Sequence, residues 1–134
     1  MALVRPLRAD TKVHYNCCQS VLLTFAQEMG LTRDEAYALG TYFNAGMRHG
    51  SVCGALSGAM MVLGMTGCGE EESLALLRQF KEKHGATDCA TLLRTAKERG
   101  EERKPHCDNL VYELVEALET VWTGKSSKTN KGRP

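Results

Sequence analysis

Apolar residues recur every three or four positions along almost the whole chain, and no stretch alternates apolar with polar for long enough to make a convincing strand. That periodicity predicts an all-α fold: a single-domain bundle of five or six helices, with a glycine-containing loop before the central helix. The 134 residues fit one domain with a modest core. The domain is expected over residues 1–123. From Gly124 to Pro134 the chain carries Lys125, Lys128, Lys131 and Arg133, with no acidic residue and no apolar anchor, and reads as a disordered basic tail.

The first helix is expected from Asn16 to Met29, with Val21, Leu22, Phe25 and Met29 on one face and Gly30 as its stop. Asn16 and Gln19 resemble a capping box. Asp10 or Thr11 are alternative starts one turn earlier. Thr32 and Glu35 cap a short second helix bearing Ala36, Leu39 and Phe43. Asn44 to Ser51 contains Gly46 and Gly50 and reads as a loop or broken turn. Ser51 is expected to cap a third helix, from Val52 to Gly64. A fourth follows from Glu70 to His84, striped by Leu74, Leu77 and Phe80 and stopped by Gly85. Thr87 or Asp88 caps a fifth, carrying Leu92, Leu93 and Ala96. Lys97 to Lys104 reads as a mobile exposed linker. Pro105 opens the last helix, which reaches Trp122 on Leu110, Leu114, Val115 and Leu118.

The chain has six cysteines. Its start, MALVRPLRAD, has no apolar run long enough for a signal peptide, which predicts a cytoplasmic location. In a reducing compartment a cysteine-rich chain points to catalysis or metal binding rather than to structural disulfides. Cys17, Cys53, Cys89 and Cys107 each fall near a predicted helix start. Unpaired N–H groups and the helix dipole favour a thiolate there. The pattern suggests a thiol redox centre or a metal site. No pair makes a CxxC motif. Cys17 and Cys18 are adjacent and point about 100° apart on a helix, so they do not share a role. The site must therefore be assembled in three dimensions.

His106, beside Cys107, and His49, in the glycine segment before Cys53, are accessory candidates. His84 reads as a charge at a helix C-terminus and His14 as a surface residue. Gly50, Gly54 and Gly58 predict close approach of another backbone or of a cofactor. Met47, Met60, Met61 and Met65 read as core fillers. The net charge of +1 gives no global argument for nucleic acid. Val52 to Met65 is too short to span a membrane. There is no phosphate loop, no nucleotide fingerprint and no haem attachment motif.

The same residues carry a family resemblance. Asn16-Cys17-Cys18-Gln19-Ser20-Val21 and, most strongly, Gly46 to Ala59 around Cys53-Gly54-Ala55 match a known pattern. Phe80 through Cys89 and the cysteine at Cys107 complete it. The chain resembles the redox-active proteins named for a C–GCAxxG–C–C cysteine pattern, from about Asn16 to Leu118. Cys18 and Cys68 fall outside it. The resemblance implies an α-helical domain with a cysteine-based redox role. Related domains occur beside electron-transfer modules in anaerobic microbes, where an iron–sulfur cluster is a plausible occupant.

Three classes of function follow. The leading expectation is an electron-transfer protein whose four cysteines converge on an iron–sulfur cluster. A metal-free variant does thiol–disulfide exchange, with Cys53 as the nucleophile. A structural zinc site or a helical interaction module with packing cysteines are the others. The expected partner is an unidentified redox protein. A homodimer face at the GAMMVLG helix or near Trp122 fits as well as an internal core does, and no nucleic-acid or membrane partner is expected.

Overall fold

The computed structural model of the chain describes residues 3–126. Its elements are α1 (Val4–Ala9), α2 (Cys17–Thr24), α3 (Ala26–Met29), α4 (Arg33–Leu39), a π-helical turn (Gly46–Gly50), α5 (Gly54–Met65), α6 (Glu70–His84), α7 (Cys89–Glu98) and α8 (Arg103–Ser126). The fold is all-α. The expected five or six helices are corrected to nine helical segments among the described residues, of which six have seven or more residues. No β-sheet is present among them. Val52 and Asp88 form an isolated antiparallel bridge.

Each additional segment has a physical cause. α1 is too short to persist alone. It is held because Val4 is fully buried and the Arg8 guanidinium reaches across to Asp108, at 2.8 Å, and to the carbonyl of Tyr15. The expected first helix is split at Phe25, whose backbone leaves helical geometry at φ −110°, ψ 14°. Ser20 and Thr24 cause the break: their hydroxyls donate to the carbonyls of Asn16 and Ser20, each at 2.8 Å, and such back-bonding bends helices. The expected glycine loop contains one π turn with left-handed backbone at Ala45, Met47 and Arg48 as well as at Gly46 and Gly50.

α2 lies at the centre, with every residue from Cys18 to Thr24 buried. Its N-terminus is closed by the Asn16–Gln19 capping box, with Gln19 N–H donating to Asn16 Oδ1 at 2.7 Å. α5 packs most extensively against it, flanked by α4, α8 and α1. Gly54 and Gly58 let α5 come close to its neighbours: a Cβ at Gly54 would fall 2.7 Å from the carbonyl of Phe43, which follows α4, and one at Gly58 3.2 Å from the Cys18 carbonyl and the Val21 Cβ of α2. What approaches Gly54 most closely is therefore backbone. Gly50 instead faces Ala90 of α7. Leu22, Leu56, Val111, Leu114 and Leu118 fill the seam between α2, α5 and α8.

Other boundaries shift. Cys53, not Ser51, is the N-cap of α5. The buried stripe of α6 is Leu76 and Phe80, while Leu74 is exposed. Lys97 and Glu98 finish α7, and Arg103 and Lys104 begin α8, so the charged linker shrinks to four residues, Arg99 to Glu102. α8 continues through Gly124–Ser126, the first part of the expected tail. The rest of that tail and the side chain of Trp122 lie outside the described residues.

Candidate functional site

Three helix starts meet at one place. Cys17 is the first residue of α2, Cys53 the N-cap of α5 and Cys89 the first residue of α7. The meeting of the last two is fixed by a short antiparallel clasp. The N–H of Cys53 donates to the Thr87 carbonyl at 2.8 Å, and the N–H of Cys89 donates to the Ser51 carbonyl at 2.6 Å. Asp88 then caps α7, accepting from the Thr91 N–H at 2.8 Å. The π turn presses against this clasp. At Gly46, with φ +65°, a Cβ would fall 2.8 Å from the Cβ of Cys89, so the turn has room only for glycine there. Cys107 arrives from α8, one turn after Arg103.

Cys17, Cys53, Cys89 and Cys107 all line one small internal cavity of about 40 Å³, together with Arg103 and His106. Cys17, Cys107 and Arg103 also line a larger cleft of about 420 Å³ on the outside. These two cysteines therefore separate an inner chamber from an outer one. All four thiols are free.

The thiols differ in acidity. Cys107 is brought down to about 7, chiefly by its pairing with the Cys17 thiol and further because Arg103 and Arg8 stand near. Cys17 is correspondingly raised by the same pairing, and by burial. Cys53, the residue expected as nucleophile, is 4 % exposed, and burial pushes its thiol up to about 11 despite the N–H groups of Leu56 and Ala55. Burial also raises Cys89, helped by the nearby Cys107. The acidic thiol is thus Cys107.

The two accessory histidines part company. His49 sits on the exposed side of the π turn and lines neither cavity. His106 lines the inner one, is 5 % exposed and has an Nε2 with no hydrogen-bond partner. Burial lowers its pKa, which keeps the ring neutral near pH 7. Cys18 is fully buried against Gly54 and Gly58 and acts as a small core residue. Cys68 is half-buried beside the Thr66 hydroxyl at 3.7 Å.

The donor set does not fit a metal centre. Among the described residues no three His, Cys, Asp or Glu side chains are grouped so that they could hold one ion. The inner cavity has room for about three waters. Zinc and iron–sulfur clusters need three or four donors arranged around a common centre.

Arg8 and Arg103 were not singled out in the sequence. Arg103 has a local signal: extending the last helix by one turn puts it on the face of Cys107 at i, i+4 spacing. Arg8 has none, since its partner Asp108 lies a hundred residues away. His14, expected as a plain surface residue, lines the outer cleft.

Residues 15–121 match the family described as "Putative redox-active protein (C_GCAxxG_C_C)". The chain belongs to this family. No curated protein and no solved structure matches the chain. Family membership gives a cysteine-based redox role. No helix among the described residues is long and apolar enough to cross a membrane.

Proposed function

We propose that this chain is a metal-free thiol–disulfide redox protein in which Cys107 attacks and Cys17 resolves. The observation that carries this reading is that Cys17 and Cys107 stand together in the wall shared by the two cavities. A thiol with a pKa near ambient pH is the most effective attacker, because it combines thiolate population with retained nucleophilicity. The Cys107 thiolate attacks one sulfur of a substrate disulfide. A mixed disulfide forms and one substrate thiolate leaves. Cys17 then attacks the Cys107 sulfur, closing a Cys17–Cys107 bond, and the second substrate thiolate leaves. The Cys17 proton goes to a departing thiolate. Two electrons have passed from protein to substrate, and the reverse exchange with a dithiol restores the starting state. Cys53 and Cys89, which line the same inner cavity as Cys107 and whose thiols it raises, are the candidates for a second exchange.

Anaerobic purification followed by metal analysis, an absorption spectrum and peptide mapping of the oxidised chain tests this. The expected result is a colourless protein without stoichiometric iron or zinc, in which mild oxidation links Cys17 to Cys107 reversibly. A brown protein with bound iron would establish the cluster reading instead. One tightly held zinc would establish the structural site.

A further inference from the structure

The cleft outside the cysteine cavity has a chemistry of its own. Its volume of about 420 Å³ is that of a small-molecule site. Arg8, Arg103, Lys104 and His14 line it beside Cys17 and Cys107, and none of the described residues lining it is acidic. Asp108 behind the wall offsets part of this charge, accepting from Arg8 Nε at 2.8 Å and from Lys104 Nζ at 3.0 Å. Three cations thus stand against that one carboxylate. Arg103 lines both cavities beside Cys107, one helical turn before it on α8.

From this juxtaposition of one-signed charge and an exchanging thiol pair, we infer that the cleft takes a low-molecular-weight disulfide whose substituents carry carboxylates. The inference rests on the thiol–disulfide reading above and adds to it the class of substrate. The Arg103 guanidinium presents a fork of donors that matches a carboxylate, and Lys104, held by Asp108 and the Arg8 carbonyl, adds a second positive charge beside it. Arg103 would hold a substrate carboxylate while its S–S bond lies against Cys107. Clefts lined by one sign of charge raise the encounter rate of oppositely charged ligands. In the reaction one substrate S–S bond breaks and the Cys17–Cys107 bond forms. Two substrate thiols are released, carrying the two protons that the protein thiols lose.

The test uses the reduced full chain and three symmetrical disulfides: 3,3′-dithiodipropionate with two carboxylates, bis(2-hydroxyethyl) disulfide with none, and cystamine with two ammonium groups. The readout is the second-order rate constant for oxidation of the protein at one pH. Cystamine releases the least basic thiolate, so intrinsic chemistry alone ranks it first. The expected order is the reverse, with dithiodipropionate ahead of cystamine by about tenfold or more at low salt. That ratio should fall to one or below at about 1 M salt, where charges are screened within a few ångströms and the intrinsic order returns. It should fall likewise in Lys104→Gln and further in Arg103→Gln. Any change in Cys107 acidity cancels in the ratio, because all three reagents meet the same thiolate. The salt series on the native chain needs no variant to fold. Equal rates, or cystamine ahead, would overturn the inference and leave the exchange reading standing. Failure of all three disulfides to oxidise the protein would overturn both.

Discussion

At the scale of single residues, the chemistry turns on how one sulfur is surrounded. Cys107 is paired with Cys17 and stands near Arg103 and Arg8, whereas Cys53 is almost fully buried and no arginine offsets that burial. Alkylating reagents attack the thiolate, so reactivity should be high above the Cys107 pKa and be lost as pH falls through it. The rate of iodoacetamide labelling at Cys107 should therefore have its midpoint at about 7. Cys17→Ala removes the partner and should move that midpoint up toward the ordinary thiol value of about 8.5. A native midpoint already at the ordinary value, or one that ignores the substitution, would contradict the pairing. Cys53 should stay unlabelled at neutral pH unless the chain unfolds, because its thiol titrates at about 11 and is buried. Composition shows which residues can become thiolates. It does not show which of four similar cysteines has a thiol partner, since that depends on neighbours ninety residues distant in sequence.

At the scale of elements, two glycines in the same helix should respond in opposite directions to the same substitution. Gly54→Ala drives a methyl to 2.7 Å from the Phe43 carbonyl, and neither backbone can yield without parting α5 from the segment that follows α4. It should cost about 1–3 kcal/mol in urea unfolding. Gly64→Ala meets nothing within 4 Å and should be neutral or stabilising by up to about 1 kcal/mol. Equal effects at the two sites would show that space against the Phe43 backbone is not what Gly54 supplies. Local features were the legible ones. The Asn16–Gln19 and Thr32–Glu35 capping boxes, the Asp88 cap and the full extent of α6 all follow from residues within one turn of one another. The break at Phe25 was missed because apolar periodicity runs straight through it, while its cause lies in two hydroxyls on the same helix. The Val52–Asp88 clasp was missed for a different reason. A bridge of one residue pair has no period, and its two halves lie just ahead of two separate helices.

At the scale of the whole molecule, the proposed exchange ties redox state to stability. A bond from Cys17 to Cys107 closes a loop containing most of the chain, and cross-links of that length restrict the unfolded state strongly. Oxidation should raise the free energy of unfolding by about 2–4 kcal/mol, read as the shift in urea midpoint between oxidised and reduced protein. Cys107→Ser should abolish the shift. The same shift surviving in that variant would mean another cysteine pair had closed.

Arg8 binds the first helix to the last and also stands within electrostatic reach of Cys107. The tuning of the thiol consequently depends on whether the amino-terminal segment is seated. Loss of that segment would blunt the sulfur without touching any residue of its own helix.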